Sequence, residues 1–394
     1  MSSGPNAEAR RAFQTISPIL PGSTLGILGS GQLGRMTAMA AKAMGYRVVV
    51  MGAAPDDPAA QVADEFVRGE LGNPDDVLRL AQEADVVTPE IENIDPAGVE
   101  ALEAVRPVRP GAHVLAVAQD RRREKESMER IGVPVAPFRP VGSLKELEDA
   151  LAVLGCPCIL KTTRGGYDGR GQVRIERPEE AGPAFRSLGE GRVGLLVEAV
   201  VPFVKEVSVV VARTPDGRTE AFPVAENEHR NGILHRTIAP ARIDPAVAAE
   251  ARALAGRVAE ALGVVGLLAV EMFLDGSGRL LVNELAPRPH NSGHYTLDAC
   301  VTSQFEQNVR AVCGLALGSP EQFRPAVMLN ILGEHLPAVM EHYTNLLMDP
   351  YVKIHLYGKA EARKGRKMGH LLVTGAAVGE AVERAERLWS TYIA

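Results

Sequence analysis

Residues 269–294, AVEMFLDGSGRLLVNELAPRPHNSGH, decide the fold of the larger part of this chain. Asp275-Gly276-Ser277-Gly278 is a tight-turn sequence between two apolar, alternating segments, the pattern of a β-hairpin. A turn of those four residues predicts Leu274 opposite Arg279 and Glu271 opposite Val282. Side chains two apart share a strand face, so Glu284 is expected diagonal to Glu271 on the same side. Two carboxylates on one face of apolar strands repel each other and resist desolvation unless a cation lies between them. Mg²⁺ prefers such oxygen ligands, with nucleotide phosphates commonly completing its shell. The competing expectation is a half-exposed hairpin with solvated glutamates, since a one-residue bulge would disturb the shared face.

Downstream, Arg288, His290, Asn291 and His294 put donors beside the acid pair, where an anion or oxyanion would sit. Upstream, Lys161 closes the apolar strand CPCILKTT, and Gly165-Gly166-Tyr167-Asp168-Gly169-Arg170-Gly171-Gln172 follows at once. Glycines at this density let main-chain amides approach phosphates closely, although the G-K-[ST] ending of a Walker loop is absent. Glu198 ends the strand VGLLVEAV, and Glu206 follows after VVPFVK. Extended backbone there can pair with an adenine edge and a carboxylate can hold ribose hydroxyls, whereas glutamates at strand ends are ordinarily solvated. The same region carries a hairpin over EVSVVVART–PDG–RTEAFPVAENEHR, an Asn231-Gly232 turn and an alanine-rich helix opened by Asp244-Pro245. Helices mixed with antiparallel hairpins indicate an α+β domain over 120–320.

Residues 23–119 alternate strand and helix instead, which predicts a doubly wound parallel α/β domain with ligands at its strand C-termini. Gly29-Ser30-Gly31-Gln32-Leu33-Gly34 is a complete G-x-G-x-x-G between strand and helix. The acid that should close the second strand is missing, for that strand ends Val50-Met51-Gly52 and Asp56 and Asp57 lie in the loop beyond. This weakens a nicotinamide dinucleotide site and leaves a helix N-terminus open to some anion. Met36, Met39, Ala40, Ala43 and Met44 are expected to form the helix's buried stripe. Residues 1–22 are polar and irregular, a loose extension. Residues 321–394 form a small β-rich C-terminal domain, in which Lys359, Arg363, Lys364, Arg366 and Lys367 are either a solvated basic turn or a clamp on phosphate.

Composition narrows the function classes. A net charge of −6 and 4% aromatic content argue against nucleic-acid partners and base-stacking platforms. No apolar run is long enough to span a bilayer. Cys156, Cys158, Cys300 and Cys313 lack zinc or C-x-x-C spacing, so reduced thiols and a cytoplasmic location are expected.

Together GQLGRM, GGYDGRGQ, NELAPRPHNSGH and YGK…GRKMGH resemble, in order and spacing over residues 24–375, the ATP-grasp superfamily and within it the N5-carboxyaminoimidazole ribonucleotide synthetases of purine biosynthesis. The resemblance implies an N-terminal α/β domain, an ATP-grasp core and a small C-terminal domain in a homodimer. It implies ATP held by Arg121, Lys161, residues 166–172 (Gly166, Tyr167, Asp168, Gly169, Arg170, Gly171, Gln172), Glu198, Ala199, Val200, Val201, Glu206, His229, Asn283 and Glu284. Glu271 and Glu284 would bind Mg²⁺. Gln32, Leu33, Glu90, Tyr167, Arg170, Lys359 and Arg366 would hold 5-aminoimidazole ribonucleotide, with Asp168, Arg288, His290, Asn291 and Lys359 serving its carboxylation by bicarbonate. Two departures are Pro89, where many relatives have an aromatic, and the missing aspartate after the second strand. The rivals are another ATP-grasp ligase, such as glycinamide ribonucleotide transformylase or biotin carboxylase, a nicotinamide oxidoreductase, and a nucleotide-sensing module without turnover.

Overall fold

Apolar β-branched runs joined by helices give the first sheet: β1 (Thr24–Leu28), β2 (Arg47–Gly52), β3 (Glu65–Arg68) and β4 (Val86–Pro89), all parallel in the order β3-β2-β1-β4. The structure, a computed structural model, describes residues 17–166 and 170–394. The expected helix starts are present: Asn73 Oδ1 accepts the Asp75 N–H, and the Asp95 carboxylate accepts those of Ala97 and Gly98. The helix Gln32–Ala43 buries Leu33, Met36, Thr37 and Ala41, while Met39 and Ala43 are exposed. The expected stripe is therefore rotated. Gly34 faces the Ala59 and Glu90 side chains so closely that a Cβ there would sit 3.2 Å from each, and this approach sets which side points inward. Residues 17–22, expected to be loose, are pinned: Ile19 N–H donates to Cys313 O (2.9 Å) and the Tyr46 hydroxyl to Ile19 O (2.6 Å).

The second sheet is antiparallel, β5 (Phe138–Val141), β6 (Cys158–Thr162), β7 (Gln172–Ile175) and β8 (Leu195–Ala199) in the order β5-β8-β6-β7. The third contains β9 (Phe203–Arg213), β10 (Thr219–Ala221), β11 (Ala225–Arg230), β12 (Ile233–Ala239), β13 (Gly266–Asp275), β14 (Leu280–Ala286), β15 (Ala326–Leu332), β16 (Val352–Leu356) and β17 (Lys367–Thr374). Its order is β14-β13-β9-β11-β12-β15-β17-β16, with β10 beside β9. The C-terminal strands thus extend the large sheet through the β12–β15 pairing. Asn231 and Gly232 both have positive φ (52° and 78°), as a two-residue hairpin turn demands.

Two cores fix the position of the acid pair. Val270 and Met272 of β13 pack with Val207 and Val209 against Leu254 and Val258 of the helix Pro245–Ala261. Leu267 and Ala269 face the other way, toward Ala311 of the helix Gln304–Val312. Alternation places Glu271 on this second face, beyond the end of its core. The hairpin register differs from expectation: Leu274 pairs with Leu280, Met272 with Val282, and Glu271 directly with Glu284. Leu274, Met272, Leu280 and Val282 all enter one core, and that packing outweighs the simple turn count. Asn283 is the extra residue of a bulge between Val282 and Glu284, so the bulge brings the two acids opposite each other.

Candidate active site

A cavity of about 770 Å³ lies where the three sheets meet, and Glu271, Glu284, Lys161, Gln32, Glu90 and Lys367 all border it. Glu271 Oε1 is 2.9 Å from His290 Nε2. Burial pushes the Glu271 carboxyl up, but His290, His229 and Lys367 outweigh it and hold the group below its ordinary range. Glu284 has its carboxylate open to the cleft and makes no ion pair or hydrogen bond with a described residue. Desolvation and the facing Glu271 charge raise its pKa, with Arg121 and Lys161 opposing. The two glutamates stand directly opposite each other, so the charge of one bears on the other.

Around this pair the chain supplies cations already tied to partners. Lys161 donates to Glu198 Oε2 at 2.9 Å, and the fully buried Lys125 stands 3.3 Å from Glu198 Oε1. Glu198 is therefore buried and paired, not solvated, and the two lysines overcome desolvation to lower its pKa. Arg121 donates to Gly166 O (2.8 Å) and Thr162 O (3.1 Å), fastening the root of the glycine-rich loop. Glu206 meets His229 Nδ1 at 2.6 Å; desolvation lowers the His229 pKa, but Glu206 and Glu271 raise it further. Phe203 and Phe273 stack at 4.7 Å on the same wall. Asn283, Arg170 and Gln172 border the cavity, whereas Ala199, Val200, Val201, Gly166 and Gly171 are not among its lining residues. Tyr167, Asp168 and Gly169 lie outside the described residues.

The segment after β14 forms the opposite wall. Arg288 is paired with Glu92, its Nη2 3.1 Å from Glu92 Oε1. Asn291 borders the cavity, and its buried amide nitrogen has no hydrogen-bond partner among the described residues. A donor left unsatisfied in a buried site is costly. Gln304, fully buried, accepts the His290 N–H (2.9 Å) and donates to His290 O (2.8 Å), clamping this wall to the helix it begins.

At the first sheet, the helix N-terminus expected to be open is occupied by the chain itself. Glu90 accepts the N–H groups of Gly31 and of Gly34, the latter at 2.6 Å. Desolvation raises the Glu90 pKa against these bonds and the charges of Arg288 and Lys359. A dinucleotide pyrophosphate would have to displace that carboxylate. In the loop beyond the second strand, Asp57 Oδ2 receives the Ser30 hydroxyl at 2.5 Å. Leu33 also borders the cavity, while Lys359 and Arg366 are not among its lining residues. Burial and then Arg366 push Lys359 down to about 8, and Glu90 acts in the opposite sense.

Sequence reasoning missed Glu92, Glu124, Lys125 and Gln304. Glu92 and Lys125 carried a signal, a charge one turn or two residues from an assigned residue; Gln304 carried none, because its role depends on a fold contact 14 residues back.

Comparison with known proteins agrees with this arrangement. Residues 23–119 match the ribonucleotide synthetase preATP-grasp domain, 126–305 the ATP-grasp domain, and 326–384 the phosphoribosylaminoimidazole carboxylase C-terminal domain. The chain is 43% identical over 371 residues to N5-carboxyaminoimidazole ribonucleotide synthase of Bacillus subtilis, covering 94% of this chain and 96% of that protein. It superposes on an N5-carboxyaminoimidazole ribonucleotide synthetase in ADP complex with a TM-score of 0.91 and 46% identity, over 96% of this chain and 100% of that one. The Aspergillus clavatus N5-carboxyaminoimidazole synthase, in complex with ADP and 5-aminoimidazole ribonucleotide, gives a TM-score of 0.88 at 32% identity, over 93% and 98% of the two chains. With an acid pair facing a closed set of cations across one cleft, and relatives matching along nearly its whole length, the chain belongs to the N5-carboxyaminoimidazole ribonucleotide synthase family of ATP-grasp ligases.

Proposed function

We propose that this chain carboxylates 5-aminoimidazole ribonucleotide with bicarbonate, at the expense of ATP, giving N5-carboxyaminoimidazole ribonucleotide, ADP and phosphate. The observation that carries the reading is the single cleft joining Glu284, opposite Glu271 and without a hydrogen-bond or ion-pair partner among the described residues, to the strand ends of the first sheet. ATP would lie against Arg121, Lys161, the 166–172 loop, Glu198–Val201, Glu206, His229, Asn283 and Glu284. Among the described residues no group of three or more His, Cys, Asp or Glu gathers as a metal cage. Two carboxylates alone suit a hard cation whose remaining ligands are phosphate oxygens and water. Glu271 and Glu284 would hold Mg²⁺, which would neutralise charge on the transferring phosphoryl group.

Bicarbonate is a poor electrophile because its leaving group is hydroxide. Attack by its oxygen on the γ-phosphorus, with departure of ADP, gives carboxyphosphate, whose leaving group is phosphate. Asn291, a residue of the cavity wall, would supply a donor for the bicarbonate oxygens, with Arg288 and His290 beside it. The exocyclic amine of the ribonucleotide then attacks the carbonyl carbon, phosphate leaves, and the amine loses a proton. Asp168 would orient or deprotonate that amine, and Lys359 would support the new carboxylate. Gln32, Leu33, Glu90, Tyr167, Arg170, Lys359 and Arg366 would hold the ribonucleotide. Closure of the glycine-rich loop would keep water from the acyl phosphate. Domains at 23–119, 120–320 and 321–394, a homodimer and a cytoplasmic location belong to the same reading; among the described residues no helix is long and apolar enough to cross a membrane.

The test is ADP release with each substrate omitted in turn. Turnover should require ATP, bicarbonate and 5-aminoimidazole ribonucleotide together, and equal turnover with glycinamide ribonucleotide or another acceptor would overturn the assignment. Asp168→Ala should retain nucleotide binding yet make no carboxylated product, as followed by chromatography.

A further inference from the structure

A line of buried side chains runs through the large sheet and ends on Glu271. The Thr237 hydroxyl of β12 donates to Asn227 Oδ1 of β11 (2.9 Å), and Asn227 Nδ2 donates to Ser208 Oγ of β9 (2.9 Å). Ser208 Oγ donates to Ser292 Oγ (2.7 Å), which lies 2.8 Å from His290 Nδ1. His290 Nε2 lies 2.9 Å from Glu271 Oε1. Thr237, Asn227, Ser208 and Ser292 are all buried, at no more than 5% exposure, so water does not substitute for a lost link.

With Asn227 Nδ2 toward Ser208 and Asn227 Oδ1 toward Thr237, the links run one way. An amide nitrogen only donates, so Ser208 must accept from Asn227 and has one hydrogen left, which goes to Ser292. Ser292 then has its own hydrogen left for His290 Nδ1. An independent contact agrees, for the Ser292 backbone N–H also points at His290 Nδ1, at 3.3 Å, and a backbone N–H cannot accept. His290 Nδ1 is therefore an acceptor and its ring proton sits on Nε2, facing the Glu271 carboxylate. We propose that Ser292, Ser208, Asn227 and Thr237 are positioning residues, a one-way hydrogen-bond chain that fixes the His290 tautomer and so holds Glu271 as an oriented acceptor ready for a divalent cation. Outer partners that orient a ligand commonly matter to metal affinity almost as much as the ligand itself. The proposal rests on Glu271 being a metal carboxylate, and its test separates the two claims.

The first measurement uses full-length, metal-free protein with ¹⁵N-labelled histidine, the His290 signals being assigned by their loss in His290→Gln. The ring should show an unprotonated Nδ1 and a protonated Nε2; a proton on Nδ1 overturns the chain whatever the enzyme does. The second measures the Mg²⁺ concentration needed for half-maximal binding of a fluorescent ATP analogue. Ser292→Ala should raise it about tenfold, Ser208→Ala less and Thr237→Val least, with unchanged melting of the last variant as a control for folding. Equal Mg²⁺ requirements in parent, Ser292→Ala and Ser208→Ala would reduce the chain to packing and overturn its role. A parent that binds the analogue equally well without Mg²⁺ would instead remove Glu271 from metal binding, and the positioning proposal with it, while leaving the tautomer result intact.

Discussion

The two ends of the cleft handle charge in opposite ways. At the first sheet, the N–H groups of Gly31 and Gly34 are met by Glu90 from the same chain, so the local electrostatics are complete. At the large sheet, Glu284 faces Glu271 and makes no ion pair with a described residue, and desolvation and the Glu271 charge outweigh Arg121 and Lys161, so a cation arriving there meets an unmet demand. Both are parts of folded sheets and both carry a buried or crowded carboxylate, yet only one presents an unmet demand. The difference locates the binding energy: a cation entering beside Glu284 relieves repulsion, whereas an anion entering at Gly31 must first expel Glu90.

The sharpest way to break this comparison is Glu284→Gln. Neutralising the unpartnered acid should lower ATP turnover by roughly 10³-fold, while thermal melting of the metal-free protein stays level or rises because the repulsion is gone. Near-normal ADP formation, or a marked loss of stability, would show that Glu284 is already balanced within the chain.

Much of this contrast was legible in the sequence. The acid pair stood out because apolar alternation left two glutamates on an otherwise apolar hairpin, and the glycine turn because only glycine allows such close backbone approach. What could not be seen was occupancy and register. Glu90 lies 56 residues beyond Gly34, and no local pattern says that its carboxylate folds back onto that amide. The bulge at Asn283 likewise follows from burial of Leu280 and Val282 in a core formed with a helix elsewhere in the chain. Arg288 was recognised as a donor, but its pairing with Glu92 depends on how two domains meet.

Glu124 extends the unbalanced end. It is buried, accepts the Leu285 N–H at 3.1 Å, and is pushed up to about 8 by desolvation and then by the Glu284 charge. Below pH 4.5 both folded and unfolded chains hold this proton. Between there and about 8 the unfolded chain releases it while the fold keeps it, so the contribution to stability falls as pH rises. Urea unfolding of the metal-free protein should lose on the order of a few kcal/mol across that window, and Glu124→Gln should flatten the slope. An identical slope in the variant would mean that Glu124 titrates like an ordinary surface acid.

Glu90→Ala tests the balanced end. Removing the carboxylate should raise KM for 5-aminoimidazole ribonucleotide by about tenfold or more, since the proposed substrate site loses one of its walls. It should also expose the Gly31 and Gly34 amides, so that inorganic phosphate perturbs their amide resonances, which it should not do in the parent. If phosphate perturbs parent and variant equally, Glu90 is not what fills the helix terminus, and the two ends of the cleft are not opposites after all.

The smallest effect concerns Asp57, in the loop beyond the second strand, which accepts the Ser30 hydroxyl and, at 3.3 Å, the Ala54 N–H. Ser30 lies between the two glycines that bring the turn under Glu90, so a looser Ser30 lets the amides move relative to that carboxylate. Asp57→Asn keeps the shape but replaces a charged acceptor with a neutral one, which should cost about 1 kcal/mol of stability. Because the strain falls on the first sheet alone, the Mg²⁺ requirement for ATP binding should not change while KM for the ribonucleotide rises about twofold to threefold. A rise in the Mg²⁺ requirement instead would mean that the two ends communicate, and that the completeness of one depends on the other.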